Sequence, residues 1–346
     1  MDKDLSPRVT VLMPVFNGGP FLREAIQSIL DQNYQDFELL IFNDGSTDNS
    51  SVTINSFADK RITGYHYEKN IGYVSRLNYG ISIAKGEYIA RMDADDVSLP
   101  SRLKTQVEFM DAFSEVGICG TSIEIIDELG LSLGNGQRYI EDEMLRIKLL
   151  ADACFAHPTV IIRKSILVTN NLWYNENFAP AEDYKLWFDV SLKSDLANLP
   201  EVLLKYRIHS QQITRRKREI QKKATDAIRK LVIQDFLGHT IEENDFVLHN
   251  TLFTNDYILS KSYVIEARQW LRDLIKHNQT GKQFDEKLFK KYIGETWFSL
   301  CTHSYKLGLW IVFVCFSSQF RLSSIPPRNV LKFVAKSVIK FSPITK

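Results

Sequence analysis

The sequence contains few cysteines and spaces them widely. Only four of its 346 residues are cysteine, and no two of them form a Cys-x-x-Cys pair. A secreted disulfide scaffold has a much higher density of cysteine, and a structural zinc site needs closely spaced thiolates. The sequence therefore argues against both classes and favours a protein of a reducing compartment.

Long hydrophobic runs are also missing. The longest apolar stretch, residues 307–316, has ten residues, whereas a helix that spans a bilayer needs about 18 to 20. The first seven residues, Met-Asp-Lys-Asp-Leu-Ser-Pro, are acidic where a secretory signal would be basic and then apolar. We expect no spanning helix and no export signal, and hence a cytoplasmic protein.

A strong net charge is missing too. The chain has 43 Lys and Arg against 42 Asp and Glu, a formal charge of +1, so composition gives no reason to expect a nucleic-acid partner. The charges are unevenly placed, however. Residues 296–346 contain seven basic and no acidic side chains, which leaves 36 − 42 = −6 for residues 1–295. The C-terminal residues are therefore basic, and the rest of the chain carries a net negative charge.

What the sequence does have is an alternation of strand and helix patterns. Residues 9–16, VTVLMPVF, are β-branched or apolar at consecutive positions, which is typical of a strand buried on both faces of a parallel sheet, and residues 37–42, FELLIF, form a second run. Residues 21–32 and 73–84 show helical spacing, and 86–92 is a further strand. The pattern predicts an α/β domain with a mostly parallel sheet, in which ligands bind at the carboxyl ends of the strands.

The pattern changes near residue 215, where a basic run begins and strand signals fade. We therefore predict a first domain of residues 1–215 and a mostly helical region of residues 216–346. Residues 328–341 carry Lys332, Lys336 and Lys340 among apolar residues, which predicts a basic amphipathic helix.

That tail has two interpretations. Lysines at every fourth position are common on any solvated helix face. The absence of acids favours peripheral contact of residues 307–341 with an anionic membrane, on its cytoplasmic face. Packing of residues 307–316 inside the helical region, or against a second subunit in a homo-oligomer, is the competing outcome.

Three carboxylates directly follow the strand at 86–92, in the segment Asp93-Ala94-Asp95-Asp96. Strand alternation puts Asp93 and Asp95 on one side, and a hard divalent cation would relieve the repulsion between them. The alternative is a solvated acidic turn that caps the next helix, which Pro100 makes plausible. Their place at a carboxyl end favours the metal.

A second polar turn, Asn-Asp-Gly-Ser at residues 43–46, ends a neighbouring strand. Such turns are common, but a carboxylate there can accept hydrogen bonds from a ribose or a base. The sequence contains neither a Gly-x-Gly-x-x-Gly nor a P-loop motif. If this edge binds a nucleotide, the cation at Asp93 and Asp95 would have to neutralise its phosphates.

These segments, together with several others, resemble the inverting family 2 glycosyltransferases of the GT-A fold. The resemblance covers roughly residues 8–214, in the family's order. It rests on VTVLMPVFNGG (9–19), NDGSTDNS (43–50), Asn70-Ile71-Gly72 with Arg76 and Asn78, GEYIARMDADD (86–96), His157-Pro158-Thr159, Ala181-Glu182-Asp183-Tyr184 with Leu186-Trp187, and Tyr206-Arg207-Ile208-His209.

The resemblance implies a fold and a set of roles. The fold would be an α/β GT-A nucleotide-diphospho-sugar transferase domain with a Rossmann-like mixed sheet. Asp183 would be the catalytic base, Asp95 and His209 would bind Mn²⁺ or Mg²⁺, and Asp93 would hold the ribose or donor sugar. The other residues expected at the nucleotide are Pro14, Val15, Asn17, Asp44, Gly72 and Arg76.

Three further residues are candidates on the acceptor side, each with a structural alternative. Glu182 and Asp183 also suit the first turn of a helix, where acids complement the helix dipole. His157 could be an ordinary buried histidine before a strand. Trp187 is expected in the core or in the wall of the acceptor site rather than in chemistry.

The implied reaction moves one sugar, hexose or N-acetylhexosamine, from a nucleoside-diphosphate sugar, with UDP as the expected nucleotide. The acceptor would be a hydroxyl of a saccharide or lipid-linked saccharide in surface polysaccharide biosynthesis. A base takes the acceptor proton, a cation stabilises the leaving diphosphate, and no covalent nucleophile is needed.

Other functions fit the residues less well. A processive synthase would show a Gln-x-x-Arg-Trp segment and spanning helices, and a nucleotidyltransferase would show a glycine-rich basic loop in place of Pro14-Val15-Phe16-Asn17. Asp93-x-Asp95 also fits an aspartyl-nucleophile, haloacid dehalogenase-like phosphohydrolase, but there the nucleophilic strand usually opens the domain. A non-catalytic nucleotide-sugar-binding protein stays open as an alternative.

Overall fold

The structure is a computed structural model, and it describes residues 6–136, 141–210, 218–320, 322 and 324–339. The packing of the backbone divides the chain into two compact units. The first comprises Met1–Arg146 with Ala153–Thr225, and the second comprises Ile147–Asp152 with Asp226–Lys346. The boundary that the sequence places near residue 215 lies outside the described residues, as do residues 340 and 341 of the expected basic helix.

The first unit begins with alternating strands and helices, as the apolar runs predict. These elements are β1 (Val9–Val15), α1 (Leu22–Leu30), β2 (Phe37–Asp44), α2 (Ser50–Asn55), β3 (Ile62–Tyr67), α3 (Tyr73–Ile83) and β4 (Tyr88–Arg91). The chain continues through β5 (Val97–Ser98), α4 (Arg102–Ala112), β6 (Val116–Ile126), β7 (Ser132–Gly136), α5 (Asp142–Leu149), β8 (Ile161–Arg163), α6 (Lys164–Thr169), α7 (Glu182–Ser191) and β9 (Asp195–Arg207).

These strands form one nine-stranded mixed sheet in the order β3-β2-β1-β4-β8-β6-β9-β5, with β7 paired to β6. The α/β class with a mixed sheet is confirmed. The expectation of a mostly parallel sheet is wrong, because beyond β4 the pairing is mixed. There β8 runs antiparallel to both β4 and β6, and β5 and β7 are antiparallel to their neighbours, while β6 and β9 pair in parallel. The β6–β7 connection is a short turn, which can join only antiparallel strands.

The parallel half of the sheet fixes the position of the polar segments. All residues of β1 and β4 are buried, which explains why these strands are mostly apolar. The register pairs Val15 with Asn43 and Leu12 with Arg91. The carboxyl ends of β1, β2 and β4 therefore share one edge, and the polar segments at 17–19, 43–48 and 93–96 all follow at that edge.

The second unit is helical in the residues that the structure describes. Its buried centre includes Leu271, Phe289 and Trp297, and Ser260 and Asp285 cap two of its helices with their side chains. No described helix combines the length and the apolar character that crossing a bilayer requires. The helices are α8 (Arg218–Leu237), whose first residues belong to the first unit, α9 (Glu243–Phe253), α10 (Lys261–Gly281), α11 (Glu286–His303), α12 (Leu309–Phe316) and α13 (Pro327–Ile339).

Candidate active site

A cavity of about 900 Å³ opens at the carboxyl edge of the parallel strands, lined by residues of the first unit. It brings together eleven of the thirteen residues that the sequence proposes for the site, which come from segments far apart in the chain. Arg76 and Trp187 do not line it. The eleven are Pro14, Val15, Asn17, Asp44, Gly72, Asp93, Asp95, His157, Glu182, Asp183 and His209.

The loop after β1 and the turn after β2 hold each other in place. The Asn17 backbone N–H donates to Ser46 Oγ (2.9 Å), and Asn17 Oδ1 accepts from the Thr47 backbone N–H (2.8 Å). The Gly19 N–H donates to Asp48 Oδ2 at 3.0 Å. Asn17 thus lines the cavity next to Pro14 and Val15 while its side chain fixes the neighbouring turn.

Asp44, at the end of β2, is almost fully engaged by the protein. Its carboxylate accepts from the backbone N–H groups of Ile71 (3.2 Å) and Gly72 (2.8 Å) and from Arg76 Nε (2.6 Å). The Arg76 guanidinium also lies 3.3 Å from the centroid of the Tyr67 ring. Asp44 and Arg76 are 1% and 7% exposed. The protein itself therefore balances the charge of this carboxylate, and Arg76 contacts Asp44 rather than lining the cavity.

Gly45 explains why the segment after Asp44 can lie against the loop before α3. Its φ is +73°, a left-handed conformation that favours glycine. A Cβ atom here would lie 2.7 Å from the backbone nitrogen of Asn70 and 2.7 Å from the carbonyl carbon of Lys69. The glycine therefore allows a close approach of two backbones beside Asp44.

The acidic segment after β4 is different, because its charges are only partly balanced. Asp93, Asp95 and Asp96 each place a carboxylate oxygen within 4.8 Å of the others. Burial, followed by the charge of Asp95, raises the pKa of Asp96 well above its usual value. Burial also raises the pKa of Asp93, against the opposing charge of Arg91.

One oxygen of this cluster has no partner among the described residues. Asp96 Oδ1 accepts from the Arg207 backbone N–H at 2.8 Å, but Asp96 Oδ2 is buried without a hydrogen bond. A buried carboxylate oxygen without a partner is costly, and a bound cation would satisfy it. Three clustered carboxylates with such an oxygen fit a hard divalent cation.

Two guanidinium groups near the cluster, those of Arg91 and Arg207, differ in what they bind. Arg91 donates to Asp93 Oδ1 and to the carbonyl of Met92. The Arg207 side chain binds the backbone oxygen of Asp95 (2.8 Å) and Glu24 (2.6 Å). Of these two guanidinium groups, only that of Arg91 therefore pairs with a carboxylate of the cluster.

His209, the predicted partner of Asp95 at the metal, lies beside it. Its Nε2 is 2.8 Å from Asp95 Oδ2, and its ring packs against Phe21 at 5.1 Å between centroids. The two residues are 114 positions apart in the sequence. The fold therefore brings the proposed metal ligands together.

On the opposite side, the two acids at the start of α7 have different surroundings. Asp183 is half-buried, lines the cavity and accepts from the Tyr184 backbone N–H at 2.8 Å. Glu182 is 1% exposed and accepts from the Tyr73 hydroxyl at 2.8 Å. Burial, and then the charge of Asp183, raises the pKa of Glu182 to about 8. Glu182 is thus protonated near neutral pH, which reduces the negative charge beside Asp183.

His157 and Trp187 contribute to the wall behind these acids. Burial lowers the pKa of His157 well below its usual value, so the ring is neutral. Its Nε2 lies 3.0 Å from the Tyr174 hydroxyl, and its Nδ1 is 3.8 Å from Glu182, too far for a hydrogen bond. Trp187 is fully buried and packs edge-on against His157. Trp187 therefore belongs to the core, one of the two places expected for it.

The structure adds residues that the sequence does not single out. Arg91 is buried, donates to Asp93 and leaves its Nε without a partner among the described residues. A basic residue inside an otherwise apolar strand is the signal that could have revealed it. Tyr73 contacts Glu182 across 109 residues, and no local pattern predicts that pair.

The mixed sheet and this cavity define the class of protein. A search of solved structures finds S. aureus TarS 1-349 in complex with UDP-GlcNAc, with a TM-score of 0.56 and 15% identity, covering 95% of this chain and 90% of that chain. The fold is that of the GT-A transferases, as the resemblance implies.

Sequence comparison then gives the family. The model of glycosyl transferase family 2 matches residues 10–169. An uncharacterized glycosyltransferase of Haemophilus influenzae is 34% identical over 216 residues, which cover 60% of this chain and 67% of that protein. The O-antigen biosynthesis glycosyltransferase WbnJ of Escherichia coli is 35% identical over 211 residues, 58% of this chain and 80% of WbnJ. The chain belongs to glycosyltransferase family 2, and it covers about two thirds of the Haemophilus relative.

Proposed function

We propose that this glycosyltransferase is metal-dependent and inverting, and that it transfers one sugar per reaction from a nucleoside-diphosphate sugar to a hydroxyl group. One observation carries the proposal. The incompletely balanced cluster Asp93, Asp95 and Asp96 lines or adjoins the same cavity as a separate carboxylate, Asp183. The cluster suits a cation that binds a diphosphate, and Asp183 suits a catalytic base.

The metal would be Mn²⁺ or Mg²⁺, held by Asp95 and His209 with Asp93 and Asp96. The oxygen ligands and the unpartnered Asp96 Oδ2 support a hard cation at this place. When bound, such a cation supplies charge stabilisation to the departing diphosphate, worth several kcal/mol in comparable sites. Among the carboxylates of the cluster, Arg91 donates to Asp93. The carboxylates of Asp95 and Asp96 therefore remain available to the cation.

The proton of the acceptor hydroxyl would go to Asp183. This carboxylate is accessible from the cavity, and its neighbour Glu182 is held protonated by burial, so the two acids have separate roles. Direct attack of the acceptor oxygen on the anomeric carbon, opposite the diphosphate, inverts the configuration. Among the described residues that line the cavity, Asp183 is the half-buried carboxylate away from the acidic cluster that best suits this role.

The nucleotide would lie along the edge formed by Pro14, Val15 and Asn17. Asp44 accepts three hydrogen bonds from the protein, and a carboxylate has about four acceptor positions. It can therefore accept one more from a ribose hydroxyl or a base N–H. The UDP-GlcNAc complex of TarS makes uridine sugars the first donors to test, with hexose and N-acetylhexosamine both included.

The acceptor would be a saccharide or a lipid-linked saccharide of a surface polysaccharide. The O-antigen role in the name of WbnJ supports this class. A lipid-linked acceptor is presented at a membrane, and the basic C-terminal residues supply a reason for peripheral contact with its cytoplasmic face.

The test is a transfer assay with purified protein and a panel of UDP-sugars, with Mn²⁺ and with chelator. We expect turnover only with metal and an inverted anomeric configuration by NMR. Asp183→Asn should bind UDP normally and lose transfer. Asp189→Asn, a carboxylate on the same helix that pairs with Lys185, is the matched control and should retain both.

The assay also decides between this proposal and its alternatives. Metal-dependent UDP-sugar binding without turnover by any acceptor tested would favour a non-catalytic sugar-nucleotide-binding protein. The phosphohydrolase alternative would require Asp93 as nucleophile, and Asp93 is instead paired with Arg91. Family membership argues against that alternative.

A further inference from the structure

The two C-terminal helices, α12 and α13, pack against each other in the second unit. A helix on the surface of a globular protein normally has one apolar face, which it buries, and a polar face toward water. Both of these helices depart from that rule, because apolar side chains are exposed on the side away from the packed face.

In α12 the packed face consists of Ile311, Val314 and Cys315, all at most 7% exposed. The opposite stripe is apolar as well. Leu309, Phe313 and Phe316, at i, i+4 and i+7, are 49%, 73% and 49% exposed. The helix therefore presents two rings and a leucine to the surroundings.

In α13 the packed face is Phe333 and Ser337, which are 2% and 0% exposed. The Phe333 ring contacts Phe298 of α11. At 100° per residue, Leu331 and Val338 lie about 160° and 140° from Phe333 around the helix axis. They are 70% and 45% exposed, and Ile339, nearby on the same side, is 72% exposed.

Basic side chains border this outer stripe. Lys332 and Lys336 are exposed and lie between Ile339 and the packed face, whereas Arg328 is exposed within the outer side, between Leu331 and Ile339 around the helix axis. Lys336 is placed over the Tyr305 ring (6.0 Å). Residues 296–346 contain no acid at all.

We propose that the outer surface of α12 and α13, defined by Leu309, Phe313, Phe316, Leu331, Val338 and Ile339, docks on a bilayer of anionic lipid. Apolar rings enter the boundary between headgroups and acyl chains, while lysine and arginine remain at the phosphate level. Charge complementarity identifies this occupant. A protein surface that covered the stripe would also have to match the exposed basic residues Arg328, Lys332 and Lys336, whereas anionic headgroups match them at any orientation.

This inference does not depend on the proposed transfer reaction. Membrane docking would bring the protein to a lipid-linked acceptor, but the binding can be measured with no substrate present. A negative result in vesicle binding therefore leaves the transfer proposal intact, and a negative transfer assay leaves this one intact.

The experiment is flotation of the full chain with vesicles of phosphatidylcholine alone or mixed equally with phosphatidylglycerol. We expect binding to the mixed vesicles, at least tenfold weaker binding to the neutral ones, and a loss at high salt. Lys332→Glu should weaken binding by roughly fivefold or more, the effect of one basic residue near an anionic surface. Phe313→Ser should weaken it by a similar factor.

Two control variants test whether binding depends on the outer surface of α12 and α13 in particular. Leu129→Ser removes the most exposed of the described leucines in the first unit, 84% exposed, and Lys276→Glu makes the same charge change on α10. Both should bind like the unmodified protein. Circular dichroism confirms that each variant is folded before its binding is interpreted.

Three results would overturn the proposal. Binding that Lys332→Glu abolishes and Phe313→Ser leaves unchanged would mean adsorption by charge alone. Equal losses with the control variants would mean that no particular surface docks. A homodimer in sedimentation that Phe313→Ser dissociates, without vesicle binding, would assign the surface to a second copy of this chain.

Discussion

Two acidic sites at the same edge of the sheet are balanced in opposite ways. Asp44, after β2, receives two backbone N–H groups and the guanidinium of Arg76. The cluster after β4 has three carboxylates, of which Arg91 pairs with Asp93, and it keeps a buried oxygen of Asp96 without a partner among the described residues. The protein itself balances the first site, whereas the second keeps a buried carboxylate oxygen that the proposed cation would satisfy.

The comparison shows why position at a strand end does not by itself assign a role. Both sites follow apolar strands, and both line the cavity. At Asp44 the protein supplies the opposite charge, so the carboxylate organises the loop before α3. At the acidic cluster the protein supplies less: His209 lies beside Asp95, but burial and then the charge of Asp95 raise the pKa of Asp96, and burial raises that of Asp93. The proposed cation would supply the remaining positive charge.

The largest expected effect separates the two sites by activity. Asp95→Asn should lower the transfer rate by about a thousandfold, since it removes a ligand from a cation worth several kcal/mol to the leaving group. Its thermal midpoint without metal should stay near that of the unmodified protein. Initial rates with UDP-sugar and Mn²⁺ measure the change in transfer rate, and a melting curve in chelator measures the thermal midpoint.

The next effect is on stability and belongs to Asp44. Asp44→Asn should lower the free energy of unfolding by about 3 kcal/mol, because it leaves the buried guanidinium of Arg76 without its counter-charge. Urea unfolding followed by tryptophan fluorescence gives the value. A loss below about 1 kcal/mol, as for an exposed ion pair, would contradict the view that this carboxylate is a structural centre.

A smaller effect concerns the pH dependence of stability at the acceptor side. Glu182 faces the Tyr73 hydroxyl, the neutral ring of His157, Asp183 and the charge of Arg91, and its pKa rises from 4.5 to about 8. The folded state therefore holds a proton that the unfolded state releases above pH 4.5. Stability should fall as pH rises from there to 8, and then level off.

Glu182→Gln tests that dependence, because glutamine keeps the acceptor for Tyr73 and cannot ionise. Between pH 6 and 8 the unmodified protein should lose roughly 1 to 3 kcal/mol relative to this variant. Glu176→Gln, an exposed acid that accepts from Ser75, is the control and should keep the original slope. Parallel pH profiles for Glu182→Gln and the unmodified protein would show that the proton is not held at Glu182.

The smallest expected effect sharpens the contrast with Asp44. Asp96→Asn should change the free energy of unfolding without metal by less than about 1 kcal/mol, since it keeps the acceptor for the Arg207 N–H and removes an ionisable group that burial disfavours. It should also abolish the rise in thermal midpoint that Mn²⁺ causes. If Asp96→Asn cost as much stability as Asp44→Asn, the two sites would not differ as described.

Much of the fold follows from local patterns. The continuous apolar runs predict β1 and β2 to within about two residues, and helical spacing predicts α3 to within one. These patterns work because burial on both faces of a sheet makes most positions of a strand apolar. A strand after His157 is expected and β8, Ile161–Arg163, is that strand, but its antiparallel direction was not predictable, because three residues give no pattern that sets their pairing.

The site was predictable in its members but not in their partners. A motif resemblance named Asp44, Arg76 and Asp183, and the cavity brings two of these to its surface. Arg76 pairs with Asp44 across 32 residues, and the Tyr73 hydroxyl donates to Glu182 across 109 residues. Such pairings arise from tertiary packing, which a single sequence does not encode locally.

The most direct test is calorimetric titration of UDP into the purified protein, with Mn²⁺ present and with the metal chelated, for the unmodified chain and for Asp95→Asn. The account predicts at least tenfold tighter binding with Mn²⁺ for the unmodified chain and no such difference for the variant. Equal affinity for UDP with and without metal in the unmodified protein would contradict it.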